Sequence, residues 1–221
     1  MFEALFNNPL SFVLWAVALV IALTIHEFAH AWMAERLGDP TPRLMGRLTL
    51  NPLAHLDPLG TIMLLIARFG WGKPVQFDPF NLRNPKRDSA LISLAGPGAN
   101  FLLATLSAIV LQLVIRYVPF ITGLPDILTA LLVAFLQYVI TLCVVLGVFN
   151  LIPIHPLDGF KIVEGLLPGD YARQWHELEP YGMIFLLFLI FPLFGPSPIA
   201  AVISPVINFL VSLLTTGLAV I

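Results

Sequence analysis

One constellation in the sequence stands apart from its surroundings: His26-Glu27-Phe28-Ala29-His30, an H-E-x-x-H pattern. On a helix, residues four apart lie one turn apart on one face. Both imidazoles can then reach a single zinc ion, and Glu27 can serve as general base toward water. The pattern alone is only moderately specific, but its setting sharpens it. Leu10 to Met33 contains no other charged or ionisable residue. Such groups at the centre of a bilayer cost roughly 2.5–3.5 kcal/mol each on insertion scales. Three within five residues need a compensating interaction, and a bound metal supplies one. The plainer alternative is a polar knot in which the His and Glu side chains hydrogen-bond to each other.

Two histidines and a water leave one protein ligand missing from a catalytic zinc site. The best-placed acid is Asp158, in Asn150-Leu-Ile-Pro-Ile-His-Pro-Leu-Asp-Gly159. Pro-Leu-Asp-Gly read alone is an ordinary turn at a helix end. His155 is a rival ligand, three residues from Asp158 and flanked by prolines. His55, in Asn51-Pro-Leu-Ala-His-Leu-Asp57, fits polar lining or a loop hydrogen bond better. His176 fits a solvated position, and Glu164, Glu177 and Glu179 are weaker third-ligand candidates with interfacial character.

The elements that must position these groups are membrane helices. Hydrophobic residues make up 58% of the 221 and charged residues 11%, against about 25% charged in a soluble domain. The expected fold is an all-α polytopic membrane protein, a single membrane-embedded domain over residues 1–221. Leu10 to Met33 is the first span, long enough for a bilayer core of about 20 apolar residues. It is followed by Gly38-Asp39-Pro40, a helix stop. The N-terminus carries no Lys or Arg before this run, which reads as a retained span and not a signal peptide. Ala90 to Ile115 is the second span, and Leu124 to Leu151 contains the third. Between the first two, Thr41 to Arg87 holds short apolar pieces broken by Pro, Gly and Asn. Leu59–Phe69 is too short for an easy crossing and reads as re-entrant or interfacial. Lys73–Phe77 reads as a short extended edge. Met183 to Ile221 is apolar but interrupted by Pro192, Gly195, Pro196, Pro198 and Pro205, consistent with one broken helix or two short ones.

Eight of the eleven Lys and Arg residues lie between Arg36 and Arg87. The positive-inside rule places that segment in the cytoplasm and the N-terminus outside, provided that Leu59–Phe69 does not cross. The H-E-x-x-H and Pro-Leu-Asp-Gly motifs then sit toward the cytoplasmic ends of their helices, two crossings apart, where they can meet. The net charge of −2 implies no strongly charged partner, and no basic cluster with interleaved aromatics supports nucleic-acid binding. Cys143, the one cysteine, reads as a small buried hydrophobe. Gly96, Gly98 and Asn100 permit close helix packing, within or between chains.

Jointly these motifs resemble the site-2 protease family of intramembrane zinc metalloproteases (peptidase family M50), over most of the chain from the first span to about Gly159. Gly46-Arg-Leu-Thr-Leu-Asn-Pro52, Gly60-Thr61, Gly72-Lys-Pro-Val75 and Gly96-Pro-Gly-Ala-Asn100 look like its compact prokaryotic branch, without a PDZ or nucleotide-sensing domain. The resemblance implies a three-helix catalytic core over about residues 10–160, with a short re-entrant or β segment. One or two further membrane helices over about 183–221 would complete the chain. It implies one Zn2+ held by His26, His30 and Asp158, with Glu27 activating water. Asn150 would lie close by and help to hold the substrate or transition state; otherwise Asn150 reads as a helix-end cap or interhelical hydrogen bond. The implied partners are transmembrane proteins or peptides in the lipid bilayer, cut for signalling or clearance. An extended substrate segment would lie beside Gly72–Phe77 or Leu48–Asn51, which agrees with strand addition to an unpaired edge. The implied location is the inner membrane, with the active site toward the cytoplasm.

Two other readings compete. A different class of membrane zinc protease also uses H-E-x-x-H but takes a downstream Glu as third ligand, which Asp158 argues against. A non-proteolytic zinc-binding protein or transporter would also hold His and Glu at mid-membrane. A transporter would show a polar path through several helices, whereas Ala90–Ile115 offers little beyond Ser93, Asn100, Thr105, Ser107 and Gln112.

Overall fold

A computed structural model describes residues 8–67, 71–121, 126–190 and 197–216. The long helices are α1 (Pro9–Leu37), α4 (Pro85–Ile121) and α5 (Asp126–Asn150). Shorter ones are α2 (Thr41–Leu44), α3 (Pro58–Ala67), α6 (Asp158–Leu166), α7 (Gly169–His176), α8 (Glu179–Ile190) and α9 (Pro198–Thr215). Four of these, α1, α4, α5 and α9, are long and apolar enough to cross a membrane. The chain is an all-α, multi-pass membrane protein.

Local sequence explains the bounds of α1. Asn8 caps its start, accepting from the Ser11 amide at 3.1 Å, with Pro9 in the first helical position, where a missing N–H costs nothing. Gly38 ends it in the left-handed conformation, φ 109°, which a side chain rarely adopts. Helices α1, α4 and α5 pack together, and α6 lies against α4. The buried face of α1 is a stripe with four-residue spacing: Ala18, Ala22, His26, His30 and Ala34. On α4 the matching stripe is Ile92, Gly96, Asn100, Ala104 and Ala108. Small residues on both stripes let the two backbones approach, as membrane helices require when apolar burial drives nothing. Ala18, Ala22 and Ala104 join Val139, Cys143 and Val144 of α5 in one core cluster, so Cys143 is the buried hydrophobe expected of it.

Two details were open in the sequence. The apolar C-terminal stretch contains two helices, α8 and α9; Pro192, Gly195 and Pro196 lie outside the described residues. The anticipated extended edge at Lys73–Phe77 forms no strand, and none occurs among the described residues. It is an irregular segment joined to its neighbours by one antiparallel bridge, Leu56 with Gly72, and by the Lys73 amide donating to His55 O at 2.8 Å. Pro74 removes one donor from the segment. The Leu59–Phe69 piece is the ten-residue α3 as far as Ala67, with Arg68 and Phe69 outside the described residues.

The far side of this segment is tied down by Asp39, buried just after α1. Its Oδ1 accepts from the Thr41 amide at 3.0 Å, the Thr41 hydroxyl at 2.6 Å and Asn81 Nδ2 at 2.9 Å. Its Oδ2 accepts from the Asp78 amide at 2.7 Å. Burial pushes this carboxyl up, but the four donors more than offset that and hold it below its ordinary value of 3.8. A group with a depressed folded-state pKa contributes stability above its unfolded value and loses it as pH falls through the folded one. Asp39→Ala should therefore cost about 1–3 kcal/mol, the penalty of stranding buried donors, read as a lower Tm in detergent. The difference from wild type should hold at neutral pH and shrink only below about 3.8.

Candidate metal centre

His26 and His30 bring their rings edge to face, centroids 4.6 Å apart, with their Nε2 atoms 3.0 Å from each other. Asp158 reaches them from the first turn of α6. Its Oδ2 lies 3.2 Å from His26 Nε2 and 3.3 Å from His30 Nε2. These three residues form the one such metal-ligating group among the described residues. The fit to a small tetrahedral ion can be tested by length. Zinc–nitrogen and zinc–oxygen arms of about 2.0–2.2 Å give a tetrahedron with edges of roughly 3.3–3.6 Å. The observed separations of 3.0–3.3 Å fall at or just short of the lower end of that range, so a small outward shift accommodates the ion. Asp158 Oδ2 is also buried, with the two imidazole nitrogens as its neighbours and no other hydrogen-bond partner, a setting suited to a shared cation. Burial pushes the Asp158 carboxyl up, yet the two imidazoles hold it well below the usual carboxylate range, so it is anionic at neutral pH.

Asp158 gets there because α6 lies unusually close to its neighbours. A Cβ on Gly159 would come 2.3 Å from Leu151 O, and one on Gly165 would come 2.3 Å from the Ala90 Cβ of α4. Leu157 precedes the helix in an extended conformation, which turns the chain inward at the aspartate. The preceding His155–Pro156 bond is cis.

Glu27 is buried beside the cluster, and its Oε2 accepts from the Val75 amide at 3.0 Å. The irregular segment therefore passes directly over the candidate base. Phe77, two residues on, lies under the Lys161 ammonium of α6, 4.4 Å from ring centroid to Nζ. The contact is a cation–π pair that joins the segment to the helix carrying Asp158.

The remaining sequence candidates go elsewhere. His155 faces Glu179 at 3.7 Å, and His176 faces Glu164 at 3.1 Å and Glu179 at 3.3 Å. They form a separate, partly exposed His–Glu cluster beside an open cleft that His26, Glu27, His30 and Asp158 do not line. His55 is fully buried and bonds Thr49 O at 2.8 Å, the loop role that its context suggests. The Asn150 amide donates to Leu146 O, one turn back in α5, at 2.9 Å, a bond that does not tie it to the cluster.

Sequence reasoning read α4 only as packing, and that missed its role at the centre. Ile92 O lies 2.7 Å from His30 Nδ1. A carbonyl only accepts, so Nδ1 carries a proton, which assigns Nε2 as the nitrogen that would ligate a metal. A Cβ on Gly96 would fall 2.3 Å from His30 Nε2 and 2.8 Å from His26 Cε1. The four-residue spacing of Ile92, Gly96 and Asn100 was the available signal. Gly96→Ala should therefore weaken zinc binding by more than the roughly 10–100-fold that loss of an outer-shell partner costs, as measured by competition with a chelator. Wild-type affinity in that variant would mean that the faces of α1 and α4 do not meet in this way.

A family model described as Peptidase family M50 matches residues 14–123 and 117–190. YwhC of Bacillus subtilis is 40% identical over 192 residues, covering 84% of this chain and 84% of that protein. Rip2 of Mycobacterium tuberculosis is 33% identical over 184 residues, covering 80% of this chain and 66% of that protein. The names of both ascribe to them a zinc metalloprotease activity. The zinc metalloprotease MJ0392 of Methanocaldococcus jannaschii is 24% identical over 170 residues, covering 76% of this chain and 39% of that protein. No solved structure matches the chain. With the family model covering most of the chain and a relative of this closeness aligned along most of both lengths, the chain belongs to peptidase family M50.

Proposed function

We propose that this protein is an intramembrane zinc metalloprotease that hydrolyses peptide bonds in or near the transmembrane segments of membrane proteins. The observation that carries the reading is the convergence of His26, His30 and Asp158 within 3.3 Å of one another. Glu27 stands beside them, and two of these ligands lie in an apolar helix long enough to span a bilayer. The names of the relatives point to the same chemistry.

Zinc held there supplies Lewis acidity toward a carbonyl oxygen and toward water. The rest falls to the protein. The Val75 amide occupies Glu27 Oε2, which leaves Oε1 to take the proton from water and return it to the leaving amine. A helical substrate hides its carbonyls in i→i−4 bonds and must unwind before attack. In an extended segment successive amides point to opposite sides. With the Lys73 and Val75 amides turned toward His55 and Glu27, the Gln76 amide is left for an incoming substrate strand. Strand addition there would offset the helical bonds the substrate gives up. The whole chain forms one catalytic unit in this reading, and the clustering of Lys and Arg between Arg36 and Arg87 puts the site toward the cytoplasmic face of the cell membrane.

Glu27→Gln keeps the shape of the side chain and removes the base. It should bind zinc stoichiometrically and lose cleavage of single-span model substrates by about 10²–10⁴-fold. Zinc flux into proteoliposomes, with no cleavage by wild type, would instead favour a transporter. Normal cleavage by Glu27→Gln would remove the assigned base.

A further inference from the structure

We infer that Asn100 is a positioning residue for the metal centre: its amide oxygen accepts the Nδ1 proton of His26 and so fixes the tautomer and ring orientation of that ligand. The inference rests on the zinc reading above and adds to it a residue outside the H-E-x-x-H and Pro-Leu-Asp-Gly motifs.

The argument begins with His26. The Nε2 atom is the one that faces His30 and Asp158. To bind zinc it must present a lone pair, so the single proton of the neutral ring sits on Nδ1. A buried N–H without an acceptor is costly. The group within hydrogen-bond distance of His26 Nδ1 is the Asn100 carboxamide, whose Nδ2 is placed 3.3 Å away. Asn100 is fully buried, and its Oδ1 has no hydrogen-bond partner. The two ends of a carboxamide are nearly identical in shape, so a half-turn about its last bond brings Oδ1 to Nδ1. One rotation then satisfies both the donor that the ligand requires and the acceptor that stands alone.

The rest of α4 makes the same provision for the other histidine. Ile92 O takes the Nδ1 proton of His30 at 2.7 Å, and Gly96, midway between, leaves room for both rings. Residues 92, 96 and 100 thus form three successive turns of one helix face, each serving the ligand pair. A side chain replaces the carbonyl at the third turn, and Asn is neutral, which keeps a further charge out of an apolar core.

Chelator competition on purified wild type, Asn100→Leu and Asn100→Asp tests this. Leucine is close to asparagine in volume but accepts nothing, and should weaken zinc binding about 10–100-fold. Aspartate keeps an acceptor and loses the donor, and should stay within about threefold of wild type or bind more tightly, as carboxylate–histidine–zinc pairs do. The Tm measured in excess chelator separates this from a packing role, which would lower that Tm while leaving affinity alone. Wild-type affinity in Asn100→Leu, or an Asn100→Asp variant as weak as Asn100→Leu, overturns the inference. If Asn100→Leu does not fold, Asn100→Asp decides: near-wild-type affinity supports the assignment, and a tenfold loss refutes it. Failure of the wild type itself to bind zinc would refute the metal reading; wild-type zinc binding with an unaffected Asn100→Leu refutes only the role of Asn100.

Discussion

The structure depends on one electrostatic constraint: three ionisable side chains sit within five residues of an apolar helix. Unpaired, His26, Glu27 and His30 would cost roughly 8–10 kcal/mol together on insertion scales, comparable to the whole stability of an ordinary domain. Nothing on α1 itself can offset this, because every other residue from Leu10 to Met33 is apolar or neutral. The compensation has to arrive from other elements. Asp158 comes from α6, the Ile92 carbonyl and Asn100 amide from α4, and the Val75 amide from the irregular segment. The glycines at 96, 159 and 165 fit that requirement, since Gly96 leaves room for the two imidazoles and Gly159 and Gly165 let α6 come close to its neighbours.

A second constraint acts on the chain between Thr41 and Arg87. Backbone that is neither helix nor closed sheet is tolerated at a membrane only where its polar groups are satisfied within the protein or by water. Three buried polar side chains do this work. Arg47 is almost fully buried and donates to the Ala54 and Lys73 carbonyls. His55 bonds Thr49 O, and Asp39 gathers the Thr41, Asp78 and Asn81 donors. Together they hold both ends of the Gly72–Phe77 stretch while its middle rests on Glu27. Charged side chains are used here as internal hydrogen-bond sources, which explains polar residues that no surface role requires.

The fold and the convergence of the three candidate ligands were largely legible in the sequence, the helices and the histidine pair because they depend on local, periodic signals. The three long spans follow from apolar run length. The histidine pair follows from the four-residue spacing, and Asp158 from its place at the end of the third span. What the sequence left open depends on contacts between distant elements. The split into α8 and α9 was ambiguous because Pro and Gly mark a break without saying how far the chain turns. The Lys73–Phe77 stretch was expected as a short extended edge and forms no ladder; one bridge, Leu56 with Gly72, precedes it, and Asp39, Arg47 and Glu27 bond the backbone in and beside it. His155 sits beside Asp158 in sequence, but the turn into α6 sends the two side chains apart, and His155 meets Glu179 instead. Gly96 and Asn100 looked like packing residues because their partners lie more than sixty residues away on α1.

These two constraints divide the centre into parts of different rigidity. The ligands and their orienting groups lie on α1, α4 and α6, where each side chain is fixed by helix geometry and by close backbone approach. The base is on the same rigid helix, but its carboxylate is oriented from the irregular segment through a single amide. Local opening costs least where backbone hydrogen bonds are few and irregular, so the 71–81 segment, and not the three helices, is the weaker support of the site. On the proposed reading, an extended substrate would lie against that segment, beside Glu27.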